Sequence, residues 1–135
     1  MHRINPSLFH RDIRWANVLF SPPQRTTSSS WFLIDFDDAA TAPTRAAMHL
    51  DIRSHHPNIF RDGHGAEVDI WGVGKLILDS GVTLSDELAS LGRDMVKAQM
   101  SAEDALTSLQ RSGTRATSAE TLNSTAISLA TLCQT

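Results

Sequence analysis

The sequence predicts an α+β domain that is mostly α-helical, and three patterns support this prediction. Two short apolar runs, residues 17–20 and 31–34, flank a polar loop that contains two prolines, which favours a β-hairpin with a long tip. The run 66–79 is apolar on nearly every side, as expected of a buried helix. Two later segments carry apolar residues at helical spacing. Helices are therefore expected to supply most of the core.

The other segments are defined by their helix breakers and caps. Residues 1–9 are too few for a helix of any length, and residues 38–65 are irregular because prolines and glycines interrupt them. Each later helix is preceded by a hydroxyl residue with an aspartate three positions on, which is a capping-box pattern. The pairs are Thr83 with Asp86, around the stripe Leu84, Leu88, Leu91 and Met95, and Ser101 with Asp104.

The chain is expected to contain one domain and a tail. Residues 1–111 are predicted to form a partial domain. Residues 112–135 are rich in serine and threonine, so this tail is either a weak helix or disordered.

The composition excludes several classes of protein. A net charge of −3 gives no reason to expect nucleic acid as a partner. No apolar run approaches the length of a membrane span, and the N-terminus lacks the apolar core of a signal peptide. The single cysteine, Cys133, fits a reducing compartment. We therefore expect an intracellular, cytoplasmic protein without membrane or nucleic-acid partners, and the sequence does not indicate its oligomeric state.

Two acidic motifs carry the candidate chemistry. His10-Arg11-Asp12 is followed five positions after the aspartate by Asn17, and Asp35-Phe36-Asp37 follows the second apolar run. This arrangement resembles the catalytic loop H-R-D-x-x-x-x-N and the metal-binding D-F-G turn of the protein kinase superfamily.

A third motif supports the same resemblance. Asp69-Ile70-Trp71-Gly72-Val73-Gly74 fits the D-x-W-x-x-G of the long buried helix that supports the kinase catalytic loop. Leu33 to Phe36 and Glu67 to Leu76 are most similar to the fungal-type protein-kinase-like family, and the resemblance covers about residues 8–110. It implies the C-terminal (large) lobe of a kinase-like fold, with the hairpin beside the catalytic loop.

The resemblance implies ATP- and Mg²⁺-dependent phosphoryl transfer to the hydroxyls of a protein substrate, and it gives each motif residue a role. Asp12 would accept or orient the proton of the attacking hydroxyl, and Arg14 would contact the transferred phosphate. Asn17 and Asp35 would hold Mg²⁺ through oxygen ligands. Asp69 would accept hydrogen bonds from the backbone of the loop's first turn. The residues implied to support the site are His10, Arg11, Phe36, Asp69 and Trp71.

Two glycines, Gly72 and Gly74, lie inside the expected buried helix. Each costs about 1 kcal/mol there relative to alanine. We therefore expect the helix to approach neighbouring backbone closely at these positions, which would offset the cost.

The sequence departs from an active kinase at three places. Asp37 replaces the glycine of the D-F-G turn, which should stiffen that turn. Asn58 and Gln99 stand where the family has a buried glutamate–arginine pair, and we expect the two amides to share a hydrogen bond. The small lobe, which covers the phosphates, has no counterpart upstream of His10. Transfer by these residues alone is thus expected to be very slow or absent, because the open site lacks a low-dielectric enclosure.

Two alternatives stay open. One is a non-catalytic, truncated pseudokinase that serves as an interaction module for a protein partner. The other is a metal-dependent hydrolase or sugar transferase built on Asp35-Phe36-Asp37 with the histidines at 49, 55, 56 and 64. Histidines clustered in a polar loop are more often surface residues than ligands, and the sequence has no H-E-x-x-H. We therefore expect these histidines to be exposed.

Overall fold

The computed structural model describes residues 5–23, 25, 30–97 and 100–113. These residues form an α+β structure with two small antiparallel sheets and three α-helices. The strands are β1 (Leu8–Phe9), β2 (Val18–Ser21), β3 (Ser30–Leu33) and β4 (Ala40–Thr41). The α-helices are α1 (Glu67–Leu78), α2 (Asp86–Lys97) and α3 (Ala102–Gly113), and short 3₁₀ helices span Trp15–Asn17 and Pro57–Phe60.

The predicted hairpin is present and is formed by β2 and β3. Leu19 lies opposite Phe32, and Phe20 lies opposite Trp31. A second sheet, in which β1 pairs with β4, was not predicted. Its strands have two residues each, which is too short for an alternating pattern to be recognised in the sequence.

The core is built around α1, which is buried on nearly all sides as predicted. Its apolar residues pack against α2 and α3 in one cluster, which Ile13 and Val18 join from the segment that carries the acidic motifs. This contact places the candidate site directly on the core. The buried apolar residues of the three helices in this cluster are Ile70, Val73, Leu76, Ile77, Leu88, Leu91, Met95, Ala105 and Leu109.

The glycines of α1 mark two close approaches, as the sequence predicted. A Cβ added at Gly72 would lie 2.8 Å from the Cβ of Ile13 and 2.9 Å from its carbonyl oxygen. A Cβ added at Gly74 would lie 2.8 Å from the Cβ of Met95 and 2.9 Å from the carbonyl oxygen of Gly92. One glycine thus lets α1 contact the segment of the acidic motifs, and the other lets it contact α2.

The cap of α2 differs from the prediction. The helix begins at Asp86 and the N–H of Leu88 binds Oγ of Ser85 at 3.3 Å, so the predicted cap at Thr83 is wrong. Two hydroxyl residues lie close together here, and the one immediately before the helix reaches the free N–H. The cap of α3 is as predicted, because Oγ of Ser101 accepts the N–H of Asp104 at 3.1 Å.

Two sequence predictions concern residues that lie wholly or partly outside the described ranges, namely the Ser/Thr-rich tail and Gln99. Helix α3 continues to Gly113, whereas the rest of the Ser/Thr-rich tail and Gln99 lie outside the described residues. Among the segments given above, no helix has both the length and the apolar character needed to cross a bilayer.

Candidate functional site

Asp69 anchors the first acidic motif to the core. It lies in the first turn of α1 and is fully buried. Its Oδ2 accepts the backbone N–H of His10 at 2.9 Å, and its Oδ1 accepts the N–H of Arg11 at 2.7 Å. Both bonds go to the backbone of the His10-Arg11 turn, where the resemblance implied hydrogen bonds to Asp69. The partial positive charge at the start of α1 further favours a carboxylate at this position.

Arg11 turns the chain sharply between this anchor and Asp12. Its φ of 72° lies in the left-handed region, which costs a non-glycine residue on the order of 1 kcal/mol. Its guanidinium donates to the carbonyl oxygen of Asp38 through Nε and to that of Arg45, at 3.0 Å, through an Nη atom. Together with Asp69, these contacts fix the turn.

His10 connects the two acidic motifs. It is fully buried, its Nε2 lies 3.0 Å from the carbonyl oxygen of Ile34, and its ring packs edge-on against Phe36 with centroids 4.5 Å apart. The N–H of Asp12 donates to Nδ1 of His10 at 3.3 Å. This tautomer leaves Nε2–H as the donor to Ile34, so a single side chain holds both motifs in place.

The carboxylate of Asp12 is surrounded by donors. Asp12 is 6% exposed. Its Oδ1 lies 2.9 Å from Nε2 of His55 and 3.2 Å from Nε of Arg14. Its Oδ2 accepts Nδ2 of Asn17 at 2.9 Å, and the same nitrogen donates to the carbonyl oxygen of Asp12 at 2.9 Å. The predicted pair Asp12 and Asn17 is therefore in direct contact.

Asn17 and Asp35 are brought into the same neighbourhood by the hairpin. The carbonyl oxygen of Asn17 accepts the N–H of Ile34 at 2.9 Å, and Asp35 follows immediately. Asp35 is exposed and has a φ of 64°, so the strain of this turn lies at Asp35 rather than at Asp37. Since Nδ2 of Asn17 faces Asp12, its amide oxygen is the atom suited to a cation.

The amide oxygen of Asn17 and the carboxylate of Asp35 suit Mg²⁺, which needs few protein ligands, better than they suit a metal ion whose ligands all come from the protein. One exposed carboxylate and one amide oxygen are hard ligands, and Mg²⁺ usually keeps several waters and takes its other ligands from substrate phosphates. Within the described part of the chain, no group of three or more His, Cys, Asp or Glu side chains is placed to hold a metal ion.

The histidines correct one expectation. His55 and His64 are buried rather than exposed. His49 is exposed and lies 2.5 Å from a carboxylate oxygen of Asp38. His56 is partly buried, with its ring centroid 6.2 Å from that of Trp71. Among the described residues, these histidines do not join Asp35 and Asp37 in a group of three or more potential metal ligands, so the arrangement gives no support to the hydrolase and sugar-transferase alternative.

The contact between His55 and Asp12 is the feature of the site that the sequence analysis missed. Its Nδ1 lies 2.8 Å from the carbonyl oxygen of Asp51, while its Nε2 contacts Asp12. His55 is 43 residues from Asp12 in the chain, so no local spacing could have indicated the pair.

Asn58 contacts Glu67 at the start of α1. Its predicted partner, Gln99, lies outside the described residues. Nδ2 of Asn58 donates to Oε1 of Glu67 at 3.2 Å, and the N–H of Gly65 donates to both carboxylate oxygens of Glu67. Burial by itself raises the pKa of Glu67, but these hydrogen bonds, its own backbone N–H and nearby His56 outweigh burial and hold the pKa below its ordinary value.

The lowered pKa of Glu67 predicts a specific loss of stability in acid. The unfolded chain binds the proton more readily, so this contribution is present above the ordinary pKa near 4.5 and is lost as pH falls through the lower folded value. We expect Glu67→Gln to reduce the loss of unfolding free energy between about pH 6 and about pH 3. Urea unfolding of both proteins at the two pH values measures how much unfolding free energy each one loses. Glu87→Gln, at an exposed position in α2, is the matched control, and an equal effect of the two substitutions would contradict the assignment.

Comparison with known proteins gives one partial relative. A protein named Crinkler effector protein 8, from Phytophthora infestans, is 43% identical to this chain over 75 residues. The match covers 53% of this chain and 12% of the relative, so the chain spans a small fraction of that protein's length. No family model and no solved structure matches the chain.

Proposed function

We propose that the chain is the large-lobe part of a protein kinase-like domain, which in complete form transfers phosphate from ATP to protein hydroxyls with Mg²⁺. One observation carries this proposal. The buried carboxylate of Asp69 binds the N–H groups of both His10 and Arg11, which is the support that the resemblance to kinases requires. An aspartate on the surface, or one that only interacts with the dipole of its own helix, would not need hydrogen bonds from a distant segment.

The roles of the site residues follow from their contacts. Asp12 orients the hydroxyl and accepts its proton, while Arg14, already in contact with Asp12, offers its charge to the transferred phosphate. The amide oxygen of Asn17 and the carboxylate of Asp35 would hold Mg²⁺. When bound, the cation neutralises phosphate charge.

Transfer by these residues is proposed to be impaired because Asp12 is covered. Both of its carboxylate oxygens already accept hydrogen bonds. Arg14 and Asn17 belong to the catalytic loop itself, whereas His55 comes from a distant segment. His55 is therefore the group that must move before a substrate hydroxyl can reach Oδ1 of Asp12.

The metal role of Asp35 is tested by nucleotide binding. We expect calorimetry to detect weak binding of ATP that requires Mg²⁺, with affinity reduced at least about tenfold in Asp35→Asn because the carboxylate ligand is lost. Asp37→Asn removes the same charge at an exposed position two residues away and is the control, with less than about twofold effect expected. Binding that is tight and unaffected by Asp35→Asn would contradict the assigned role.

A second candidate is a binding module without catalysis. It is favoured by the covered Asp12 and by the apolar side chains of the hairpin, where Leu19 is 52% exposed and Phe32 is 50% exposed. Such a module would suit an effector, the word in the name of the Phytophthora relative. Absence of any Mg²⁺-dependent ATP binding, together with measurable binding of a protein partner, would favour this candidate.

Either function is proposed for an intracellular location, since the single cysteine fits a reducing compartment.

A further inference from the structure

We propose that a cleft beside Asp12 binds an acidic polypeptide segment and thereby selects the protein substrate. The inference rests on the proposed function, because the segment would lie next to the hydroxyl that Asp12 orients. The cleft has a volume of about 220 Å³ and lies between the catalytic loop, the segment 53–54 and the second half of α1. Its lining includes Arg14, Trp15, Arg53, Trp71, Lys75 and Asp79.

The apolar parts of the cleft are firmly held. Ile13 and Leu76 line it and belong to the buried core. The indole N–H of Trp15 donates to the carbonyl oxygen of Leu76 at 3.1 Å, which fixes the ring and satisfies a carbonyl in the last turn of α1. The ring of Trp71 packs edge-on near His56. Aromatic walls of this kind suit the backbone and methylene groups of an extended peptide.

The charged groups of the cleft favour an anion, although the whole chain is negative. Three cationic side chains and one carboxylate line it, whereas the net charge of the chain is −3. Lys75 is paired with Asp79 at 3.0 Å, and Arg14 is paired with Asp12. Arg53 is exposed, and its backbone N–H donates to Oδ1 of Asp51 at 2.9 Å. No described carboxylate forms an ion pair with its guanidinium. An arginine in this situation binds a carboxylate well, because its planar donors match the two oxygens.

The position of Arg53 relates the anion to the reacting hydroxyl. Arg53 precedes His55 by two residues, and His55 contacts Asp12. Arg14 both lines the cleft and contacts Asp12. The cleft therefore connects the anion-binding arginine to the carboxylate that orients the hydroxyl. The substrate class we infer is a serine or threonine in a peptide segment that also carries glutamate or aspartate.

Peptide titration of the complete chain tests this inference without nucleotide or Mg²⁺. Three peptides free of aromatic residues are compared: one with glutamates around a serine, one with glutamines in their place and one with lysines. Tryptophan fluorescence is the readout, because Trp15 and Trp71 line the cleft. We expect the acidic peptide to bind at least about tenfold more tightly than the glutamine peptide, with affinity that falls as salt is added. Equal affinities for the three peptides would overturn the inference.

A matched pair of variants locates the binding. Arg53→Glu is expected to lower the affinity for the acidic peptide about tenfold, whereas Arg61→Glu, at an exposed arginine outside the cleft lining, is expected to change it less than about twofold. Equal losses in the two variants would overturn the assignment to Arg53. If Mg²⁺-dependent ATP binding is present and the acidic preference is absent, only this inference fails. If the acidic peptide binds at Arg53 and ATP does not bind, the proposed phosphoryl transfer fails and the cleft stays a peptide site.

Discussion

Replacing Asp69 with alanine is expected to lower the free energy of unfolding by about 2–5 kcal/mol, because two backbone N–H groups would lose their acceptor and each unpaired donor costs about 1–3 kcal/mol. These two donors belong to His10 and Arg11 at the start of the first acidic motif. Asp69→Asn keeps one acceptor oxygen and should lie between alanine and the wild type. Urea unfolding followed by circular dichroism measures the change.

The control for Asp69 lies at the other end of the same helix. Asp79 is exposed and pairs with Lys75 at the surface, and such pairs contribute about 0.5 kcal/mol or less. Asp79→Ala should therefore leave stability nearly unchanged. Similar effects of the two alanine substitutions would show that Asp69 does not anchor the first acidic motif.

Replacing Gly72 with alanine is expected to destabilise the chain by about 1–3 kcal/mol, although alanine favours a helix by about 1 kcal/mol. The added Cβ would lie 2.9 Å from the carbonyl oxygen of Ile13, and backbone at that distance must move. Because Ile13 adjoins Asp12, we also expect Gly72→Ala to weaken Mg²⁺-dependent ATP binding. Urea unfolding and calorimetry measure the two effects.

Gly74→Ala is the comparison that separates packing from function. Its Cβ would lie 2.9 Å from the carbonyl oxygen of Gly92 in α2, so the loss of stability should be similar. Nucleotide affinity should change little, since α2 does not carry the acidic motifs. If both substitutions stabilise the protein, as alanine does at an open helical position, the close approaches described above are wrong.

The sequence predicts those parts of the fold that are encoded by a local pattern of residues, or that contain a residue whose burial or helical conformation is costly without a compensating contact. All-round apolarity over 66–79 identifies α1, and the aspartate within it at position 69 must find partners because a buried charge is costly. The same reasoning explains Gly72 and Gly74, where a helix tolerates glycine in exchange for close packing. The hairpin follows from two apolar runs and a turn-rich loop.

The features that the sequence does not predict depend on distant or very short segments. His55 reaches Asp12 across 43 residues, and its neighbours carry no pattern that indicates this contact. The left-handed backbone at Arg11 and Asp35 is equally hidden, because residues other than glycine seldom adopt it. At both positions the tertiary contacts on either side override the local preference.

Paramagnetic broadening tests most directly whether Asn17 and Asp35 share one cation beside Asp12, as proposed. With ATP present, Mn²⁺ in place of Mg²⁺ should broaden the amide resonances of Asn17 and Asp35 in NMR spectra of the isotope-labelled chain and leave those of α2 and α3 sharp. Broadening centred on Asp38 and His49, or no local broadening at all, would contradict the claim.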